Sequence, residues 1–485
     1  MKVAITPETQ REKATKLSTW LLHAGAWCII LANFAWFNWK VPQSPFAPDE
    51  MMNMGWAWEA GLLKILGAIA AFFTNFYRPV GALYYWILYN MFGLNYVPFR
   101  IADLCILLLN LGLAFCLFRR LSGSLFVAYL SSFLFSYNAN VMSRISYNGA
   151  FVYDRVCFTF YVAALLYYLR RRSKGDPLNL RSAAVLAVLY TFALGSKEMA
   201  VSLPPVLLAF ELLYNPSRDL LKNWRPILLL TLMTLAYIYS KTHGSEALVT
   251  NPAYRPTDIT LNHFLIAQGS YVDLLLLGNY SLTPLIIAGL ILAAALLASA
   301  FRSRCLWMAL MFMLVTPLPI AFLDRGTGRL YIPLLGWCLF AAQLSVCVAN
   351  FLTSRVHSRR KYLIDAGVQG ALAVGLAVTL IHRNLFVQSF VIEPMIKNGA
   401  LTWQIIQDFN RIRPPFRPND KVYITKSPFA GWDVMFITEL WANVRPLHIS
   451  EPGKNLPAGA AVPPGTNVIL SFDASKHMFV SAVQP

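Results

Sequence analysis

The sequence predicts an all-α polytopic membrane protein that ends in a small α/β domain. Three observations favour this fold class. Of the 485 residues, 57% are hydrophobic and only 13% are charged, whereas soluble proteins carry about 25% charged residues. The apolar residues form long runs, as membrane-spanning helices of about 20 residues require. After Arg383 the composition changes to short alternating segments. A chain this apolar could not keep its surface in water, so lipid must solvate most of it.

About eleven apolar runs are long enough to be candidate spans. They cover residues 18–38, 99–118, 122–138, 150–169, 180–196, 198–214, 226–240, 280–300, 304–323, 330–352 and 362–382. The net charge is +18, and the basic residues form short clusters between these runs. If the N-terminus is inside and each run crosses once, every cluster lies on the cytoplasmic side, as the positive-inside rule requires. The basic charge therefore indicates membrane topology and not a nucleic-acid partner, and the C-terminus is predicted to lie outside.

The first outer loop, residues 39–98, is predicted to hold helices that lie flat on the membrane. Residues 80–92 (VGALYYWILYNMF) are short and rich in Tyr and Trp, which favour the membrane interface. Counting them as a span would also move the later basic clusters to the outside. Residues 50–72 and 259–277 are predicted as two further interfacial helices.

Two domains are predicted: a transmembrane domain over residues 1–385 and an outer α/β domain over residues 386–485. The second begins with a predicted helix at 389–413. Strand-like and helix-like pieces then alternate with Pro- and Gly-containing linkers, in the order KVYIT, WDVMFITELWA, RPLHIS and NVILSF.

Charged residues of the outer side are candidate functional residues, because ionisable groups near a bilayer are costly. They come from five distant parts of the chain: Asp49 and Glu50; Arg78; Arg144, Asp154 and Arg155; Lys197 and Glu198; and Asp324, Arg325 and Arg329. Loop ends of a helical bundle can meet, so we expect these groups to converge on one cavity. Neighbours on a helix do not face each other, so Glu198 is expected to pair with a residue other than Lys197.

This mixture of charges indicates chemistry on a phosphate and a hydroxyl. Arg and Lys bind phosphate by charge-assisted hydrogen bonds. A carboxylate beside another acid has a raised pKa and suits a general base, whose usual effect is roughly 10²–10⁴-fold. The predicted catalytic acids are Asp49, Glu50 and Asp154, and the predicted phosphate-binding residues are Arg78, Lys197, Arg325 and Arg329. A phosphate, a hydroxyl and a lipid surface together predict a polyprenyl-phosphate-linked sugar as donor.

Several segments carry a family resemblance. The Asp49–Glu50 pair lies in the first outer loop, and FYRPVG at residues 76–81 opens a YRP…G…R pattern that runs into the second span. GSKEMAVSLPP begins at residue 195 and GRLYIPLLGW at residue 328. In this order and spacing, over roughly residues 20–350, the chain resembles the GT-C membrane glycosyltransferases. The protein O-mannosyltransferase-like enzymes and their bacterial relatives are the most similar in pattern.

The resemblance implies a GT-C fold and a polyprenyl- or dolichyl-phosphate sugar donor that is used on the outer face. It also implies that Asp49 is the catalytic acid, that Asp154 is a second outer-face acid, and that Lys197 and Arg329 meet the donor phosphate. The expected location is the bacterial inner or plasma membrane, with the active site on the periplasmic side. The β-trefoil domain of the eukaryotic protein mannosyltransferases is not visible, which leaves the acceptor open between protein, lipid and glycan.

Metal dependence is also open, because some GT-C members use a divalent metal and others do not. The seven cysteines lie in or at the ends of apolar runs, without Cys/His ligand spacing, so the sequence itself predicts no metal site.

Two alternatives belong to other classes. A transporter or flippase of lipid-linked glycans would need no acid pair in its first loop, and it would show internal repeats and broken helices. An O-antigen ligase or polymerase would concentrate its signature residues in a late outer loop, whereas the acids here come early.

Overall fold

The computed structural model describes residues 7–173, 179–215, 217–244, 247–251, 255–256, 258–323, 327–354, 361–429, 433–457, 459–473 and 478–483. Most of these residues are helical. The helices are α1 (Pro7–Asn38), α2 (Pro48–Ala70), α3 (Pro79–Phe92), α4 (Tyr96–Ser122), α5 (Leu125–Ser136), α6 (Met142–Tyr147), α7 (Val152–Ser173), α8 (Leu180–Ser196), α9 (Leu203–Tyr214), α10 (Ser217–Thr242), α11 (Leu261–Leu275), α12 (Pro284–Ala300), α13 (Arg304–Val315), α14 (Leu318–Ala321), α15 (Tyr331–Thr353), α16 (Lys361–Ile412) and α17 (Asp433–Ala442).

Helix ends follow local capping chemistry. The side chain of Asn95 accepts a hydrogen bond from the Val97 N–H at the start of α4. The same helix ends at Gly123, whose left-handed φ of 69° favours glycine. The next residue, Ser124, accepts a hydrogen bond from the Val127 N–H and begins α5. A two-residue turn therefore reverses the chain between two apolar helices.

Within the described residues, six helical stretches are long and apolar enough to cross a membrane. They are Trp20–Gln43, Tyr96–Ser122, Gly149–Arg172, Arg304–Ala321, Gly328–Thr353 and Leu363–Ile412. Three shorter apolar helices, α5, α8 and α12, accompany them. The chain is an integral membrane protein. The count of eleven spans and the orientation of the two termini stay predictions.

Two predicted spans are interrupted. The run 198–214 begins with a 3-10 turn at Glu198–Ser202, and α9 starts only after it. The run 304–323 divides into α13 and the short α14, with Pro317 between them. Proline lacks the N–H group that would continue the helical hydrogen-bond ladder.

The predicted span 362–382 and the predicted helix 389–413 form one continuous helix, α16, of 52 residues. Arg383 and Asn384 interrupt the apolar sequence, but both residues are compatible with a helix. Asn384 is buried, and its side chain accepts a hydrogen bond from the Ala139 N–H at 2.8 Å. The predicted domain boundary at residue 386 thus lies inside a helix.

The C-terminal segment contains a four-stranded sheet, as its alternating pattern predicts. Its strands are β1 (Lys421–Lys426), β2 (His448–Ser450), β3 (Val468–Asp473) and β4 (Met478–Val483), in the order β2-β1-β3-β4. β1 is parallel to β2 and β3, and β4 is antiparallel to β3. The sequence prediction contains the first three strands and α17 but not β4.

The first-loop helices and the C-terminal sheet share one hydrophobic cluster, which also includes Phe99 of α4 and Val152 and Tyr153 of α7. α2 packs closely on α17, because a Cβ atom at Gly55 would lie only 2.9 Å from the Phe436 ring. The Tyr89 hydroxyl donates a hydrogen bond to the Leu440 carbonyl at 2.6 Å. The C-terminal domain is therefore packed onto the loop that carries the two predicted acids.

Candidate active site

A cavity of about 150 Å³ lies between α2 and the ends of several other helices. Its lining residues are Asp49, Met52, Asn53, Tyr77, Arg78, Ala150, Phe151, Tyr153, Asp154, Lys197 and Arg329. The lining includes five of the seven predicted site residues. The expected convergence of charged residues from distant parts of the chain is therefore confirmed for these five. Glu50 does not line the cavity, and Arg325 lies outside the described residues.

The cavity charges are held at helix ends, which lets distant segments meet. Arg78 precedes α3 in a left-handed conformation (φ 49°), and Pro79 then starts the helix. Lys197 is extended (φ −160°, ψ 146°) and ends α8. Arg329 lies in a 3-10 turn, Thr327–Leu330, directly before α15. Asp154 lies in the first turn of α7.

Asp154 and Lys197 form a buried ion pair, with Oδ2 and Nζ 3.1 Å apart. Their exposed fractions are 4% and 2%. An ammonium group and a carboxylate this well buried are stable only because each neutralises the other. This pair connects the start of α7 to the end of α8.

Arg78 and Glu198 form a second ion pair. One guanidinium nitrogen of Arg78 donates to both carboxylate oxygens of Glu198 at 2.9 Å, whereas Lys197 Nζ is 3.9 Å from Glu198. The prediction that Glu198 pairs mainly with a residue other than its neighbour is confirmed. The Arg78 guanidinium also lies over the rings of Tyr77 and Tyr153, at 4.4 and 5.1 Å from their centroids.

Glu50 belongs to a different network and does not line the cavity. Its carboxylate binds the guanidinium of Arg100 through two hydrogen bonds of 2.7 and 2.8 Å. Arg100 also binds Asp103, which in turn binds Arg155 at 2.5 Å. All four side chains are at most 1% exposed. Glu50 additionally accepts the Ala47 N–H at 2.6 Å and so satisfies the first turn of α2.

Gly149 makes room for this network. A Cβ atom at that position would lie 1.8 Å from Glu50 Oε1 and 2.8 Å from Arg100 Nη1. Both distances are far below van der Waals contact. A residue with a side chain at position 149 would therefore displace the ion pair.

Asp49 is the acid that remains unpaired. Its side chain is exposed at the cavity, and within the described part of the chain it has neither a hydrogen-bond nor an ion-pair partner. Its pKa is raised, first by partial burial and then by the charge of Glu50, while the charge of Arg329 opposes the rise. An accessible carboxylate with a raised pKa can accept a proton from a substrate hydroxyl.

Arg329 is the unpaired cation of the same cavity. It is half-buried, and its Nε atom is buried without a hydrogen-bond partner among the described residues. Asp49 and Arg329 thus provide opposite charges, and neither forms an ion pair with another residue in the described part of the chain.

A second cavity, of about 300 Å³, adjoins the first and shares Asn53, Tyr77 and Tyr153 with it. Its other lining residues are Trp56, Ala57, Glu59, Ala60, Lys64, Phe76 and Ala82. Aromatic rings with polar groups between them suit an amphipathic ligand that has both apolar faces and hydroxyl groups.

No group of three or more His, Cys, Asp or Glu side chains in the described ranges could hold a metal ion. The two carboxylates that line the cavity are Asp49 and Asp154, and Lys197 already neutralises Asp154. The described lining thus offers one unpaired carboxylate, and metal dependence stays untested.

Sequence reasoning missed several residues near the site. Arg100 and Asp103 were available as a signal, because two opposite charges three residues apart occur inside an apolar run. The sequence contains no comparable signal for Asp433, which lies at the start of α17. The pKa of Asp433 is raised by burial and by the charge of Asp49. Only the packing of α17 on α2 brings this C-terminal residue near the first loop.

Comparisons with known proteins test the fold. The archaeal oligosaccharyltransferase AglB from Archaeoglobus fulgidus, in complex with an inhibitory peptide and a dolichol-phosphate, superimposes with a TM-score of 0.52. The match covers 93% of this chain and 70% of AglB, at 13% sequence identity. This chain has the GT-C fold. The apo form of the Archaeoglobus fulgidus enzyme matches with a TM-score of 0.49, 13% identity and coverages of 89% and 64%. No family model and no curated protein sequence matches the chain.

Proposed function

We propose that this protein is a membrane glycosyltransferase that moves a sugar from a polyprenyl-phosphate donor to an acceptor hydroxyl on the outer face. The pairing of charges around the cavity carries the proposal. Glu50 and Asp154 each have a buried cationic partner. Asp49 has none in the described part of the chain and remains accessible. A general base must be free to take a proton, so we assign that role to Asp49 and not to Glu50.

In the proposed reaction, Asp49 takes the proton from the acceptor hydroxyl. The acceptor oxygen attacks the anomeric carbon of the sugar, and the bond between that carbon and the phosphate oxygen breaks. The bonding electrons leave with the polyprenyl phosphate, which gains negative charge as it becomes a monoester. In this proposal, Arg329 stabilises that charge.

Arg78 and Lys197 have a less direct role in this proposal. Each already binds a carboxylate, so its charge is neutralised locally and we assign it no direct contact with the phosphate. Asp154 then holds Lys197 in position and is not the base. The aromatic cavity beside Asp49 is where we place the transferred sugar or the acceptor. Arg325 stays a predicted phosphate ligand.

The fold supports a lipid-phosphate donor, because AglB was solved with a dolichol-phosphate. The peptide in that complex favours a protein among the three predicted acceptor classes. We propose the bacterial inner membrane as the location, with the site on the periplasmic side.

The test is transfer from radiolabelled polyprenyl-phosphate sugars in membranes that contain equal amounts of wild type or variant. We expect Asp49→Asn to lose activity by roughly 10²–10⁴-fold, the usual contribution of a general base. Asp258→Asn is a matched control, because Asp258 is an exposed acid that does not line the cavity. Full activity of Asp49→Asn would refute the assignment, and absence of transfer by the wild type from any donor would favour the transporter hypothesis.

A further inference from the structure

Two arginines lie close enough to interact, and one of them, Arg329, lines the cavity. Arg144 lies on α6, which contacts the turn Thr327–Leu330 that carries Arg329. Both side chains are half-buried. The Nε atom of each is buried and has no hydrogen-bond partner among the described residues. Neither guanidinium forms an ion pair there.

This arrangement is unfavourable unless an anion is present. A buried donor without an acceptor costs free energy, and two like charges at close range repel each other. The pKa of Arg144 is lowered, first by burial and then by the charge of Arg329. An anion that binds both guanidinium groups would satisfy the donors and remove the repulsion.

Three other cations near the cavity are already neutralised. Arg78 binds Glu198, and Lys197 binds Asp154. Arg100 binds both Glu50 and Asp103. Arg144 and Arg329 therefore differ from these three cations in lacking a carboxylate partner within the described ranges.

We propose that Arg144 and Arg329 together form the binding site for the phosphate of the polyprenyl donor. Arg144 is thus an additional phosphate ligand, and this inference rests on the proposed function. Guanidinium groups bind phosphate oxygens in a planar, bidentate geometry. Their two positive charges match the two negative charges of the departing phosphate monoester better than the single charge of the donor diester. The site therefore favours the charge distribution that develops as the sugar leaves.

The test measures binding and not transfer. Radiolabelled farnesyl phosphate is a short polyprenyl monoester that represents the product, and its binding to the full chain is measured in detergent. We expect Arg144→Gln and Arg329→Gln each to weaken binding by about 10- to 100-fold, as for the loss of a hydrogen bond between charged groups. Arg302→Gln is the matched control, because it removes the same charge from an exposed residue between α12 and α13. Arg144→Lys keeps the charge but not the planar group, so it should recover only part of the affinity.

Thermal unfolding without ligand separates a binding role from a structural one. Arg144→Gln removes a repelling charge, so its Tm should equal or exceed that of the wild type. A lower Tm together with unchanged farnesyl phosphate binding would overturn the proposal.

Two further ligands identify the source of the phosphate. Farnesol tests the apolar chain alone, and inorganic phosphate tests the anion alone. We expect both to bind the wild type more weakly than farnesyl phosphate does. Arg144→Gln should leave the affinity for farnesol unchanged. Equal affinity for inorganic phosphate would refute a lipid phosphate as the ligand. Normal farnesyl phosphate binding without sugar transfer by the wild type would refute the proposed function but not this site.

Discussion

Replacing Glu50 by Gln tests the division of labour between two adjacent acids. The change removes the negative charge that binds the two terminal nitrogens of Arg100. Arg100 is fully buried, and its remaining carboxylate, Asp103, also serves Arg155. The network would then hold two cations and one anion.

The cost follows from this imbalance. Removing one partner of a buried ion pair typically costs about 3–5 kcal/mol. The Gln side chain can still accept one of the lost hydrogen bonds, so we expect a loss near the lower end, about 3 kcal/mol in the free energy of unfolding. Asp49→Asn makes the same chemical change one residue away at an exposed position, and it should change stability by less than about 0.5 kcal/mol.

The assay compares equilibrium unfolding of the two variants in detergent with transfer activity per folded molecule. Glu50→Gln should be destabilised yet retain activity once folded, and Asp49→Asn should show the reverse. Gly149→Ala should imitate Glu50→Gln without any change of charge, because its Cβ atom would occupy the place of the Glu50 carboxylate. Normal stability of Glu50→Gln with a hundredfold loss of transfer would place Glu50 in the chemistry and refute the reasoning.

Three other predictions concern charges in the cavity. As a base, Asp49 must be deprotonated, so kcat/KM should fall as the pH falls through its pKa, and because that pKa is raised, the fall should begin above the pH expected for an ordinary Asp. The charge of Arg329 lowers the pKa of Asp49, so Arg329→Gln should move this acidic limb to higher pH in a pH–rate profile; an unmoved limb would contradict Asp49 as the titrating base. Asp154→Asn leaves the buried Lys197 with only the Glu198 carboxylate, 3.9 Å from its Nζ atom, and should cost about 3 kcal/mol in unfolding free energy. Adding Lys197→Met should recover part of that loss, and simple addition of the two single losses would argue against a coupled pair.

The sequence predicted the acid pair in the first loop but could not assign a role to each member. Consecutive helical residues point about 100° apart, so Asp49 and Glu50 had to face different surroundings. Which of them faced the cavity depended on Arg100, which lies fifty residues further along the chain. The local sequence around the two acids contains no signal for that contact.

The secondary structure was predictable where apolar length determines it. The apolar runs at 99–118 and 122–138 form α4 and α5, and the tyrosine-rich segment at 80–92 forms α3. α16 was predicted as two helices because a change from apolar to polar composition was interpreted as a break. Polar residues such as Arg383 alter the surroundings of a helix without ending it, since its backbone hydrogen bonds remain intact. β4 follows residues 474–477, which lie outside the described residues, and it was not predicted.

By itself, the sequence determined that the chain is an integral membrane protein, that its helices follow the apolar runs, and that charged loop residues accumulate outside the spans. These properties depend on composition and on neighbours along the chain. Only the tertiary structure decided which charges are free. Glu50, Asp154 and Lys197 are paired and buried, whereas Asp49, Arg144 and Arg329 have no ion-pair partner among the described residues. The reason is physical: whether a charge is neutralised depends on groups within a few ångströms in space, and here those groups come from helices that are distant in sequence.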